Sequence, residues 1–244
     1  MMLSRRQLFA ITIPALAVGQ EPANRGLRVV CVGGHPDDPE SGCGGTLARY
    51  SALGHSVTVI YLTRGEAGIS GKPHDEAAAI RSAECIAACK ILGAKPVFAG
   101  QVDGATTVDA KAVESFARVL SAERPNVVFT QWPIDTHLDH QAASTLAFRT
   151  WLAAGRSFEL YYYEVNLGSQ TMGFHPTDYV DITAVREKKK AALFSHKSQN
   201  GEEIYRRHHE PMENFRGREA GTAAAEAFVH LARANGASPL PGLG

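Results

Sequence analysis

The chain has 244 residues, of which 44% are apolar and 20% charged. These proportions belong to a globular protein and exclude a disordered one. With 25 basic and 25 acidic residues the formal net charge is zero, so no global field favours nucleic acid or an anionic membrane surface.

The N-terminus differs from the rest. Ser4-Arg5-Arg6-Gln7-Leu8-Phe9 carries a paired arginine and precedes a modest apolar stretch from Ala10 to Val18. That stretch is shorter than the roughly 20 residues a bilayer-spanning helix needs. It contains Pro14, and Ala15-Leu16-Ala17 offers a small-residue cleavage site. The pattern is similar to a twin-arginine export signal. The expectation is a leader over residues 1–24, a periplasmic or extracellular protein, and no stable membrane anchor. Residues 25–234 are expected to form one catalytic domain. The tail 235–244, rich in Gly, Pro and Ala, is expected to fray.

Leu27 to Val32 is a continuous apolar run and predicts a first central strand, ended by Gly33-Gly34. Cys43 to Leu53 has helical spacing and stops at Gly54. Ser56 to Leu62 is rich in β-branched residues and predicts a second strand. Thr63 to Gly68 is a loop. Asp75 to Leu92 predicts a long alanine-rich helix closed by Gly93. A short strand follows at Lys95 to Ala99, then a helix at Val108 to Ala122. Asn126 to Thr130 predicts a strand, Leu138 to Ala153 a helix, and Phe158 to Val165 a tyrosine-rich strand. Val180 to Ile182 is a short strand before a helix at Ala184 to Phe194, whose run Arg186-Glu187-Lys188-Lys189-Lys190 reads as a solvated face. Strands alternating with helices predict a Rossmann-like α/β domain, with a mostly parallel sheet and helices on both faces. Ligands of such sheets bind at the carboxyl ends of the strands.

Two polar clusters fall on that edge. His35-Pro36-Asp37-Asp38 follows the first strand, and Thr136-His137-Leu138-Asp139-His140 follows the strand at Asn126 to Thr130. The first cluster offers a cation two ligands and leaves one carboxylate free as a base. The second adds two imidazoles and another carboxylate. Neutral imidazole and carboxylate suit Zn²⁺, and catalytic zinc sites use three protein ligands plus water. Fe²⁺ also accepts such nitrogen and oxygen donors. The cysteines Cys31, Cys43, Cys85 and Cys89 contain no Cys-x-x-Cys pair, so any metal must use histidine and carboxylate. The glycines at 33, 34, 42, 44 and 45 lack the dinucleotide spacing, and an acidic turn repels a pyrophosphate.

These residues resemble the LmbE/PIG-L-like N-acetylglucosaminyl deacetylases. The likeness spans most of the expected mature chain. It is carried by His35-Pro36-Asp37-Asp38, Gly42-Cys43-Gly44-Gly45-Thr46-Leu47-Ala48, Thr63-Arg64-Gly65-Glu66-Ala67-Gly68, Arg81-Ser82-Ala83-Glu84, Leu92-Gly93, Asp103-Gly104, His137-Leu138-Asp139-His140 and His196-Lys197-Ser198-Gln199. The resemblance implies a zinc hydrolase that removes an N-acyl group from a small amino-sugar substrate. It implies His35, Asp38 and His140 as metal ligands, Asp37 as general base, His137 as the histidine that steadies the oxyanion, donating to it if protonated, and Asp139 as the residue that orients His137. One departure is Pro39 where many relatives carry glutamate, with Glu40 following.

Arg64 and Glu66 lie on the catalytic edge and are candidates for substrate contact or a surface ion pair. Arg81 is a further candidate for substrate binding or, with Glu84, for a structural role; Asp103 for binding sugar hydroxyls or making a turn; and His196, with Gln199, for lining the pocket or capping a helix. His175-Pro176-Thr177-Asp178 imitates the first motif but lacks the adjacent aspartate and the glycines. His208 and His209, in a charged segment, read as solvated. Trp132 is placed to stack on a sugar or to pack in the core. Two alternatives stand beside the deacetylase. One is an amidase on a thiol-sugar conjugate or another amide. The other is a non-catalytic carbohydrate- or metal-binding protein, against which the free Asp37 argues.

Overall fold

Strand β1 (Arg28–Gly33) shows why the sheet is central: its side chains alternate between two apolar cores, Val29 and Cys31 in one, Val30 and Val32 in the other. A strand buried on both faces needs helices above and below it. The computed structural model describes residues 26–166, 168–231 and 240–243. The expected leader lies outside the described residues.

The order along the chain is β1, α1 (Asp38–Ala52), β2 (Ser56–Tyr61), α2 (His74–Leu92), β3 (Lys95–Phe98), α3 (Ala110–Ala122), β4 (Val127–Gln131), α4 (Leu138–Ala153) and β5 (Glu159–Tyr163). Then come β6 (Asp178–Asp181), α5 (Arg186–Leu193), α6 (Gly201–Ile204), α7 (Glu210–Ala220) and β7 (Ala225–Leu231). The seven strands form one sheet in the order β3-β2-β1-β4-β5-β7-β6. Pairing is parallel from β3 to β5, and β7 runs antiparallel to both β5 and β6. Leu47 of α1, Leu92 of α2 and Ala192 of α5 pack on one face; Phe116 of α3 and Leu146 of α4 pack on the other. The strand order reverses between β1 and β4, and there the crossovers diverge and open a crevice at the carboxyl edge. Both polar clusters emerge at that point. Among the described residues no helix is long and apolar enough to cross a membrane.

Three differences from the sequence expectation have local causes. Helix α1 begins at Asp38 rather than Cys43, because Pro39 occupies the first helical turn, where a missing N–H breaks no bond. The departure at Pro39 therefore builds the turn. Its ring packs where a Cβ on Gly33 would come within 2.6 Å, so that close approach requires glycine. The second difference is the segment from α6 to α7 together with β7, none of which was expected. Their inward positions include Glu213, Arg216 and Glu226, all buried, so no apolar period marks them. The third is Lys189, which is fully buried instead of solvated. Its Nζ lies 2.8 Å from Glu213 Oε1 and 2.7 Å from Glu226 Oε1, at ion-pair distance but without hydrogen-bond alignment. The tail is only partly as expected. Leu240 and Leu243 pack against the core, and the Tyr50 hydroxyl donates to Pro241 O at 3.0 Å.

Candidate active site

The turn after β1 reverses sharply into α1. Asp37 takes φ = 110°, a strained conformation for a residue with a side chain. It persists because the surroundings over-determine it. Arg81 from α2 is buried and donates from Nη2 to Pro36 O at 2.5 Å and to Asp37 Oδ2 at 3.2 Å. Glu40 Oε2 accepts from Asp37 N at 3.2 Å, and Tyr61 Oη donates to Glu40 Oε1 at 2.5 Å.

The two expected clusters meet. Asp38 Oδ2 lies 3.2 Å from His35 Nδ1 and 3.2 Å from His140 Nε2. It also accepts from His35 N at 2.8 Å. The outer nitrogen of each imidazole faces a carboxylate. His35 Nε2 is 3.0 Å from Asp139 Oδ2 and 3.2 Å from Asp103 Oδ1. His140 Nδ1 is 3.2 Å from Asp135 Oδ1. Carboxylates behind ligating histidines fix the tautomer and ring orientation, so this arrangement suits a cation held by the inner atoms.

The titration behaviour of the bare chain agrees. Burial pushes His140 down, but Asp38 and Asp135 outweigh it and hold the ring at about 9. Burial likewise pushes His35 down, yet Asp103, Asp139 and Asp38 carry it well above its ordinary value. Asp38 is pushed up by burial and nonetheless held well below the usual carboxylate range by His140 and His35. The site thus attracts positive charge, as a cation-binding centre must. A second arrangement is also close: one ligand atom each from His35, His137 and His140 lies within 4.8 Å of the others. His137 suits a ligand less, because it is less buried than the other two rings.

Asp37 touches neither imidazole. Burial pushes it up to about 6, with Arg81 pulling it down and Asp38 pushing it further up. Burial, and after it His35 and His140, lower His137 below its ordinary value, a shift toward the neutral ring. Its Nδ1 accepts from Asp139 N at 3.3 Å, which leaves the proton on Nε2.

Several expected roles change. The Asp139 carboxylate does not orient His137. It faces His35 and accepts from Gly104 N at 2.8 Å and Thr106 Oγ1 at 2.6 Å. Asp103 lines the cavity but is turned to His35 and to Ala67 N, at 3.0 Å for the latter. Arg64 and Glu66 stay off the cavity wall. Glu66 curls into its own loop, accepting from Arg64 Nε at 3.1 Å and from Asp103 N at 3.3 Å, and so presents Ala67 and Gly68 instead. His196 does line the cavity, fully buried, with Nε2 3.3 Å from Glu40 Oε1 but no aligned hydrogen bond. Trp132 packs against Tyr162 and Phe174 and donates to Met172 O, a core role. His175 is exposed and away from the site. Asp135 and Gln170 were missed, and His209, which its charged segment suggests is solvated, is instead buried and lines the cavity. Gln170 Nε2 lies 3.1 Å from His140 Nδ1, and no local spacing announces it.

His35, Asp37, Asp38, His137, His140 and His196 line one cavity of about 540 Å³. The sequence profile described as PIG-L, GlcNAc-PI de-N-acetylase, matches residues 30–151. Diacetylchitobiose deacetylase of Thermococcus kodakarensis is 31% identical over 204 residues, covering 76% of this chain and 74% of that protein. The chain belongs to the PIG-L family. It is a deacetylase-type amidohydrolase of that family. Among solved structures, the conserved protein TT1542 of Thermus thermophilus superposes with a TM-score of 0.73 at 33% identity, over 84% of this chain and 94% of that one. N,N'-diacetylchitobiose deacetylase of Pyrococcus horikoshii superposes with a TM-score of 0.74 at 24% identity, over 86% of each chain, and shows the shared fold.

Proposed function

We propose that this PIG-L family member is a zinc-dependent deacetylase that removes an N-acetyl group from a small amino-sugar or glycoconjugate substrate. The observation that carries the proposal is Asp38 Oδ2 standing 3.2 Å from both imidazoles, with the neighbouring Asp37 paired to Arg81 instead. The diacetylchitobiose deacetylase likeness supports the substrate class.

His35, Asp38 and His140 would hold the cation. When bound, it polarises an amide carbonyl and lowers the pKa of water toward about 7. Asp37, raised toward neutrality and steered by Arg81, takes the proton of the attacking water. Positioned acid–base help of this kind is worth on the order of a hundred- to ten-thousand-fold. The neutral His137 directs its Nε2–H to the oxyanion of the tetrahedral intermediate, and losing one such donor typically costs about 3–4 kcal/mol. Asp37 then returns its proton to the departing amine, leaving free amino sugar and acetate. Non-catalytic binding has no use for a carboxylate held on a strained backbone beside the proposed ligands, steered by Arg81. The setting we propose is outside the cytoplasm; the paired arginines Arg5-Arg6 support it.

Acetate release by the metal-loaded chain from N-acetylated mono- and disaccharides tests the proposal. Asp37→Ala is expected to abolish turnover while elemental mass spectrometry finds the metal retained. Substantial activity in that variant would refute the assigned base.

A further inference from the structure

One buried histidine in the cavity has no part in the chemistry above. His209 is 3% exposed, lines the cavity, and its Nδ1 has no hydrogen-bond partner. Leaving a buried polar group unpaired costs about 1–3 kcal/mol. Proteins keep such groups chiefly where a ligand or water completes them.

The backbone delivers this ring deliberately. Between α6 and α7 the chain makes a π-helical turn, Tyr205–His209, in which Glu210 N donates to Tyr205 O. Pro211 explains it. A regular helix would need a donor from residue 211 to Arg207 O, and the proline ring would strike that carbonyl. The wider turn avoids the clash, and such turns recur at functional sites. The segment is also anchored. Tyr205 Oη donates to Glu213 Oε2 at 3.1 Å, and Arg186 Nε donates to the same oxygen at 3.0 Å. A Cβ on Gly201 would collide with Leu193 O, so glycine is needed where this segment meets the end of α5.

The local chemistry selects a neutral hydroxyl. Burial, helped by the positive Lys189 and by His208, pushes His209 down to about 3, so the ring is neutral with one donor and one acceptor. Leu193 and Ile204 line the same cavity. Apolar side chains and a hydrogen-bonding ring in one cavity fit a pyranose, which carries a C–H face and hydroxyls.

We propose that His209 is a specificity-determining residue that hydrogen-bonds a hydroxyl of the substrate sugar, with Leu193 and Ile204 against the ring's C–H face. This rests on the deacetylase reading above and names the wall that recognises the sugar.

The test uses the full, metal-loaded chain with two substitutions. His209→Phe keeps a ring and removes both nitrogens; His209→Gln keeps a donor and an acceptor. With N,N'-diacetylchitobiose, His209→Phe is expected to raise KM about tenfold with kcat nearly unchanged, the loss of one hydrogen bond. His209→Gln is expected to recover most of it, with metal content unchanged in both. In parallel, the histidine-ring NMR signal that disappears in His209→Gln is followed in the wild-type chain as N-acetylglucosamine or its deacetylated product is added. Movement of that signal supports the proposal. An unchanged KM in His209→Phe, or a signal that stays still as either sugar is added, overturns it while leaving the deacetylase reading intact. If the wild type releases no acetate from any N-acetylated sugar, the deacetylase reading fails, and the NMR titration still decides sugar binding at His209.

Discussion

Replacing Asp139 by asparagine distinguishes two roles for that carboxylate. If it steadied His137, as the sequence pattern suggests, the variant would lose turnover and keep its metal. In the structure it stands behind His35, so the loss should fall on metal affinity. The magnitude follows from its partners. Asp139 accepts from Gly104 N and Thr106 Oγ1 and faces His35 Nε2 at 3.0 Å. An asparagine amide can keep its oxygen toward Gly104 N and His35 Nε2 only by turning its NH₂ to Thr106 Oγ1, whose hydroxyl must then accept, and it brings no charge to the imidazole. A hydrogen bond to a charged group contributes about 1.5–3 kcal/mol. Asp103 Oδ1, 3.2 Å from the same nitrogen, remains as an acceptor and offsets part of the loss. Metal affinity should therefore fall roughly tenfold, the lower end of the 10- to 100-fold range for such outer partners. Adding Asp103→Asn should carry the loss toward about a hundredfold. Competition with a chromophoric zinc chelator measures this, and kcat is then read on fully loaded protein. Wild-type metal affinity together with a large fall in kcat at full loading would refute the assignment to His35.

Two further outcomes concern stability. Lys189→Met removes the cation between Glu213 and Glu226 and leaves buried charge uncompensated, a change that usually destabilises by about 3–5 kcal/mol. Glu213 keeps Arg186 and Tyr205, and Glu226 keeps the backbone N–H groups of Gly45 and Thr46, so the lower end is expected in a urea titration. His209 is neutral in the fold, with its pKa pushed down to about 3, whereas the unfolded imidazole titrates near 6.5. The unfolded chain therefore binds the extra proton first. Stability contributed by this group is fully present above about 6.5 and is lost as pH falls through that window toward 3. Urea midpoints at pH 7 and 5 should differ less in His209→Phe than in wild type.

Much of the architecture was written in local pattern. β1, β2 and β4 are continuous apolar runs because a parallel strand is covered on both faces, and their alternation with helices leaves few topologies. That pattern alone puts His35 and His140 on one edge of the sheet. The adjacency of Asp37 and Asp38 also belongs to the sequence, since neighbours along a tight turn cannot separate. Tertiary structure decided the partners. Asp139 faces His35 from 104 positions away, Arg216 holds Glu164 from 52 away, and Glu226 reaches Gly45 from 181 away. Apolar periodicity reports burial by the hydrophobic effect, which needs no particular partner. A buried charge is tolerated only beside a specific complement, and here that complement comes from a distant segment. For the same reason the polar inner faces of α7 and β7 and the buried Lys189 left no trace in the local pattern, and the charged neighbours of His209 made a cavity-lining ring look solvated.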